Sequence, residues 1–154
     1  SLLHVKGASL VSGGLLWDMK AHHLAKGTKA TLNNHAIVLR DTKFKMEVTG
    51  QIEKGYSQSE THQMTRVLNL GEKSNAIEYP KLLIDENDVA ASHAASVGRP
   101  NIEHLYYLMS RGIKEKDAYR LILRGYLLPI TEDIEDEMIK NALISEIETK
   151  VARL

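Results

Sequence analysis

Histidine is the side chain of this sequence best suited to metal or proton chemistry, because the chain has seven histidines and no cysteine. A neutral imidazole can bind a metal or transfer a proton near physiological pH. The absence of cysteine excludes disulfides, thiolate nucleophiles and a cysteine-bound cluster within this chain. Any metal-related role must therefore use imidazole or carboxylate groups.

His93 stands out among the seven because its neighbours are small. It lies in the segment Ser-His-Ala-Ala-Ser-Val-Gly at residues 92–98, which we interpret as a loop that leaves the imidazole unobstructed. A lone histidine without a second ligand at fixed spacing is more often a hydrogen-bonded structural residue than a metal ligand. The residues alone therefore favour a structural role for His93.

The other histidines give weaker signals. His22 and His23 are adjacent, so on a strand they would face opposite sides and could not hold one metal together. We interpret both as solvated or turn residues. His62 lies in a polar connection, where we expect it at the surface, and His104 falls in the first turn of a predicted helix, where we expect it exposed.

Composition and motifs narrow the classes of function. Twenty basic and twenty acidic residues cancel, so no net charge directs the chain to nucleic acid or an anionic membrane. The apolar runs are much shorter than the roughly 20 residues of a membrane span. Neither a phosphate-binding loop nor a dinucleotide fingerprint is present. We therefore expect a soluble protein without nucleic-acid or membrane partners, and the start at Ser1 suggests a piece of a longer chain.

The residue pattern of the first part of the chain is typical of short strands separated by turns. Glycine, asparagine and aspartate separate short apolar segments, and in 43–52 apolar and polar residues alternate as in a half-buried strand. This spacing favours either a sandwich or a solenoid of stacked coils, and no clean repeat decides between them. The predicted strands are 2–5, 14–19, 31–39, 43–52, 63–70, 76–84 and 89–92.

The last third of the chain is predicted to be helical. Asn101 is a favourable N-cap for a first helix, and Gly112 can adopt the left-handed conformation that ends it. A second helix is predicted from 114 to 126, before Pro129 interrupts the chain. Thr131 is the predicted cap of a third helix that runs nearly to residue 154.

A block of segments resembles a known family. The small-residue segment with His93 is followed by an aromatic helix at 102–109, an Arg-Gly-Ile break at 111–113 and a Leu-Ile-Leu-Arg-Gly-Tyr-Leu helix end at 121–127. This order resembles the C-terminal part of the SufB/SufD iron-sulfur cluster assembly scaffolds. Ala94 replaces the glutamate that follows the histidine in SufB-like sequences, so the chain looks more similar to SufD.

The resemblance implies a fold and a division of the chain. The fold class is mainly β with α: a right-handed parallel β-helix, or solenoid, at residues 1–98, followed by a small C-terminal helical domain at 99–154. The resemblance thus favours the solenoid over the sandwich. It also implies a cytoplasmic protein that is a scaffold rather than an enzyme.

The resemblance further implies partners and sites. A SufD-like subunit pairs with SufB through the β-helix and docks the ABC-type ATPase SufC through its C-terminal helices, and ATPase activity belongs to SufC. His93 is the candidate metal residue where the nascent cluster forms, and no cofactor is expected on this chain alone, because the iron-sulfur cluster is bound transiently in the complex. Apart from the resemblance, an uncapped end of the solenoid leads us to expect some homodimerisation of this chain. The candidate SufC-docking residues are Leu105, Tyr106, Leu121 and Tyr126.

Two alternatives remain open at this point. One is a β-helix protein-interaction module without metal chemistry, for which a change at His93 would leave cluster assembly untouched. The other is a carbohydrate-active β-helix enzyme, which would need an acid and a base at fixed separation. No such acidic pair is evident in the sequence.

Overall fold

The computed structural model describes all 154 residues, which form two compact units, Ser1–Gly98 and Arg99–Leu154. The first unit contains only strands and turns, and the second contains only helices and their connections. The strands are β1 (Leu2–Val11), β2 (Gly14–His23), β3 (Lys29–Val38), β4 (Lys43–Ile52), β5 (Ser59–Asn69), β6 (Asn75–Ile84) and β7 (Val89–Gly98).

The strand unit is a parallel solenoid of about three turns, which confirms the predicted β-helix. Odd-numbered strands form one sheet in the order β1-β3-β5-β7, and even-numbered strands form the other in the order β2-β4-β6. Every neighbouring pair is parallel. The register advances by unequal steps: Leu2 pairs with Lys29, Lys29 with Glu60, and Ser59 with Val89. These unequal coil lengths explain why the sequence shows no clean repeat.

The core of the strand unit lies between the two sheets. In β4, Phe44, Met46 and Val48 point inward and are at most 2% exposed, as the alternation in the sequence predicts. They pack in one cluster with Leu32 of β3 and Val67 of β5. Because neighbouring coils superpose residue on residue, each apolar side chain covers the one in the next coil.

Hydroxyl groups join successive coils at the corners. Ser74 donates from its Oγ to the carbonyl of Leu39 at 2.6 Å and accepts from the backbone N–H of Thr42 at 3.1 Å. At another corner, the Oγ atoms of Thr28 and Ser59 lie 3.1 Å apart. These bonds satisfy turn backbone groups that the strand ladders leave free.

Three α-helices form the second unit: α1 (Ile102–Ser110), α2 (Glu115–Leu127) and α3 (Glu137–Ala152). The side chain of Asn101 caps α1 by accepting from the N–H of Glu103 at 2.8 Å. Gly112 has φ of +86° after α1, as predicted. Asn101 and Gly112 therefore begin and end α1 as the sequence predicts.

The predicted start of the third helix is wrong. Residues Leu128–Thr131 form a short 3-10 helix with Pro129 near its beginning. The Oγ1 of Thr131 donates back to the carbonyl of Leu128, so it does not cap α3. Asp136 is the cap instead, because its carboxylate accepts from the N–H groups of Met138 and Ile139.

Candidate functional site

His93 lies on a strand and not in a loop. The prediction of a small-residue loop at 92–98 is wrong because β7 runs to Gly98 and pairs with β5 along its whole length. Strand pairing overrides the low strand propensity of Ala and Ser. We call β6, β7 and the turn between them the terminal coil, because β6 and β7 are the last strands of their sheets.

The imidazole of His93 is on the inner face of the terminal coil. Its register partner in β5 is Gln63, which is buried. The neighbouring pair, His62 and Ser92, faces outward, and the Nδ1 of His62 lies 2.7 Å from the Oγ of Ser92. Since alternate residues of a strand face opposite sides, His93 points inward. It is nevertheless exposed, because no further coil covers β7.

The inner face next to His93 is unusually polar. Thr61, Gln63 and Thr65 alternate along β5, and each is at most 4% exposed. The Oγ1 of Thr61 and the Oε1 of Gln63 have no hydrogen-bond partner, whereas the hydroxyl of Thr65 faces the carboxyl group of Glu78 in β6. Unpartnered buried oxygens are costly in a folded protein. The interior between β5 and the terminal coil therefore retains hydrogen-bonding capacity that no neighbouring protein group uses.

Glu78 is the acidic residue of this inner face. Burial raises the pKa of its carboxyl group above the ordinary value. On the outer face of the same sheet, the opposite shift occurs at Glu47. Hydrogen bonds from the ammonium groups of Lys45 and Lys81, each at 2.7 Å, lower the pKa of Glu47 to about 2.

These polar inner residues were not predicted from the sequence. The predicted fifth strand began at Gln63 and so omitted Thr61. Glu78 was assigned to a predicted strand, but which side of that strand it faces was not predicted. The available signal was a polar residue at every second position of Thr61, Gln63 and Thr65. Alternation of polar residues indicates a shared face, but it does not indicate that the face points inward.

His93 does not stand in a preformed metal centre. The structure contains no group of three or more histidine, aspartate and glutamate side chains that could hold a metal ion. His93 can therefore offer one ligand from the open end of the solenoid. Further ligands would have to come from a molecule that covers the terminal coil.

The interpretation of His22 and His23 as solvated or turn residues is wrong for His23. Both lie at the end of β2 and face opposite sides, as expected for a strand. His22 is exposed and its Nε2 lies 3.0 Å from Glu53. His23 is 4% exposed, and its Nδ1 lies 2.6 Å from the Oγ1 of Thr28. Burial lowers the pKa of His23, which keeps its imidazole neutral.

His62 and His104 were both predicted to lie at the surface, His62 in a connection and His104 in a helix. His62 is in β5 and not in a connection, where it is partly exposed on the outer face. Its position in a regular strand is what holds it against Ser92. His104 is exposed in the first turn of α1, as predicted.

The four predicted docking residues differ in exposure. Tyr106 on α1 is 61% exposed and Leu121 on α2 is 44% exposed. Leu105 and Tyr126 are half-buried. α1 has no buried residue at all. Tyr106 and Leu121 are thus the side chains of this set that a partner can reach most directly.

No helix in the structure has the length and apolar character needed to cross a membrane.

Comparison with known proteins supports the resemblance read from the sequence. The family described as "SUF system FeS cluster assembly, SufBD core domain" matches residues 2–126. The iron-sulfur cluster assembly protein SufD of Bacillus subtilis is 42% identical over 129 residues, which cover 84% of this chain and 30% of the relative. SufD of Escherichia coli is 36% identical over 80 residues, 52% of this chain and 19% of the relative.

A more distant relative belongs to an archaeon. A protein of the iron-sulfur cluster assembly SufBD family from Pyrococcus horikoshii is 33% identical over 90 residues, 58% of this chain and 20% of the relative. The chain thus spans less than a third of the length of each of these three relatives. The family match covers the whole solenoid together with α1 and nearly all of α2.

Proposed function

The chain belongs to the SufBD family of iron-sulfur cluster assembly proteins, and from this membership we propose that it acts as a SufD-like, non-catalytic scaffold. In this proposal the terminal coil pairs with a SufB-like subunit and the helical unit docks a SufC-like ATPase. The iron-sulfur cluster is the cargo of the complex. His93 supplies an imidazole where the cluster forms.

The observation that carries this proposal is the position of His93. The imidazole lies on the inner face of the last strand of its sheet and remains exposed because no coil follows. A partner that covers this end would find an accessible ring nitrogen beside a polar interior. Neutral imidazole is a common ligand of iron in proteins.

The lack of cysteine shapes the expected chemistry. Thiolates are the usual ligands of iron-sulfur clusters, so this chain would leave them to the partner subunit. His93 would contribute one nitrogen ligand or order the interface. The ATPase step likewise belongs to the SufC-like subunit, because this chain has no phosphate-binding motif.

The role of His93 is tested in the assembled complex. We expect His93→Ala to co-purify with its SufB-like and SufC-like subunits but to carry much less iron and sulfide, measured anaerobically. His62→Ala is the matched control, because it removes an imidazole from the outer face of the same part of the solenoid. Unchanged iron and sulfide in His93→Ala would instead support an interaction module without metal chemistry.

The docking of the ATPase is tested on the helical unit. We expect Tyr106→Asp together with Leu121→Asp to abolish binding of the SufC-like subunit, because a charge on each exposed apolar side chain opposes its burial. Met138→Asp is the control, since Met138 is 77% exposed and lies outside the predicted surface. Full binding by the double variant would exclude these helices as the docking site.

A further inference from the structure

The amide of Gln63 in β5 has a fixed orientation beside the terminal coil. Its Nε2 donates to the backbone carbonyl of Lys81 in β6 at 3.1 Å, and the side chain is 4% exposed. A carbonyl oxygen accepts but does not donate, so the amide nitrogen must face Lys81. The Oε1 atom is thereby turned away from Lys81, and it is buried without a hydrogen-bond partner.

A glycine provides the space for this arrangement. A Cβ atom at Gly50 in β4 would lie 3.1 Å from the Nε2 of Gln63 and 2.6 Å from the Oγ1 of Thr61. A side chain at this position would clash with Thr61 and press against the amide of Gln63. The inner surface of β4 therefore accommodates Gln63 in its extended position between the two sheets.

His93 is the neighbour of Gln63 in the next coil. The two residues are register partners of a parallel pair, and both side chains are on the inner face. Adjacent strands are about 4.8 Å apart, so a change of rotamer at the exposed His93 brings a ring N–H within reach of the amide oxygen on β5, a bond that the structure itself does not contain. The other inner register pairs nearby, Thr61 with Ala91 and Thr65 with Ala95, offer no donor on β7.

We propose that Gln63 is a positioning residue for His93: its Oε1 accepts a hydrogen bond from one ring N–H of His93 and so fixes the tautomer of the imidazole. The other ring nitrogen is then held unprotonated toward the open end of the solenoid. A histidine that binds a metal generally donates its second N–H to a carboxylate, carbonyl or water. The role of this hydrogen bond in metal binding rests on the proposed function, whereas the hydrogen bond itself does not.

The hydrogen bond is tested without iron, by ¹⁵N NMR of the histidine rings in the full chain. The spectra are recorded on the alkaline side of neutrality, where the ring shifts of an uncharged imidazole report its tautomer. We expect one dominant tautomer for His93 in the wild type and a mixture in Gln63→Met, which keeps the length of the side chain but removes the acceptor. Thr61→Val, which removes a neighbouring buried hydroxyl, should leave the His93 signals unchanged.

A second measurement protects the test from a variant that fails to fold. In the wild-type protein we expect an observable ring N–H of His93 with a nuclear Overhauser effect to the side-chain amide protons of Gln63. Identical tautomer ratios in wild type and Gln63→Met, or a ring N–H without this effect, would overturn the proposal. Gln63 Oε1 would then bind a buried water instead.

The purpose of the bond is tested separately in the complex. Loss of an outer partner of a metal-binding histidine typically lowers metal affinity by about 10-fold to 100-fold, and we expect a loss in this range for Gln63→Met. If His93→Ala retains its iron, the proposed function fails. The hydrogen bond, which NMR measures in the absence of iron, is judged on the tautomer alone.

Discussion

The middle of the solenoid and the terminal coil have the same backbone architecture but opposite interiors. Between β3 and β4, the inner face is filled mainly by Leu32, Phe44, Met46 and Val48, all nearly inaccessible to solvent, and Asn34 is its buried polar exception. Between β5 and the terminal coil the inner face presents several polar atoms without partners and an exposed His93. Parallel stacking therefore sets the positions of side chains, while their identity decides whether a coil stabilises the fold or remains available to a partner.

The largest expected effect is the loss of a side chain from the middle. Phe44→Ala should lower the free energy of unfolding by about 3–5 kcal/mol, because it leaves a cavity in a closely packed core. Val97→Ala on β7 is the comparison, since Val97 is 47% exposed, and we expect less than about 1 kcal/mol. Urea unfolding measures both, and equal losses would remove the distinction between the two regions.

The next effect concerns the glycine beneath the polar face. Gly50→Ala should destabilise by about 1–3 kcal/mol through overpacking, because its Cβ would lie 2.6 Å and 2.9 Å from atoms of Thr61. Gly125→Ala in α2 is the control. A Cβ there meets nothing within 4 Å, so helix propensity should stabilise the chain by about 0.5–1 kcal/mol. Opposite signs in thermal unfolding would separate steric crowding from a general response to alanine.

A smaller effect is the pH dependence of stability that the buried carboxyl group of Glu78 produces. Burial raises the pKa of Glu78 in the folded state, so its favourable contribution is complete below the ordinary pKa and is lost as pH rises through the folded value. Glu78→Gln should therefore have a higher Tm than wild type at pH 7. The difference should vanish near pH 4. A lower Tm for the variant at pH 7 would mean that the charged carboxylate has a stabilising partner.

The smallest effect is expected on the outer face. The pKa of Glu47 is lowered to about 2, so its contribution is present above the ordinary value of about 4.5 and is lost as pH falls through about 2. Glu47→Gln should therefore be slightly less stable than wild type at pH 7 and equal to it near pH 2. Screening by solvent keeps this effect small. A difference that grows on acidification would contradict the assigned sign.

The order of the strands and helices could be predicted from the sequence better than which side of each strand faces the core. All seven strands and three helices were expected, and the alternation in β4 identified its buried side correctly. In β6 the same logic misleads, because Ile77 and Tyr79 face outward whereas Glu78 faces inward. The register with β4 fixes this orientation, and that register depends on pairing between residues about 30 positions apart.

The candidate site was only partly predictable for a related reason. His93 was identified by its neighbours and the family resemblance, but its strand conformation depends on pairing with β5. Gln63 gave only the alternation of polar residues that it shares with Thr61 and Thr65, which does not indicate a role. Its significance arises from Gly50, Lys81 and His93, which three different strands bring to it.

The position of β7 at the edge of its sheet has a consequence for the dynamics of the solenoid. Every strand between two others is held along both edges, whereas β7 is held along one. In a stacked array, opening spreads from the end inward. We therefore expect amide hydrogen exchange to be faster in β7 than in β5 and β3, which are paired along both edges. The segment that carries His93 can thus open locally while β5 and β3 remain paired.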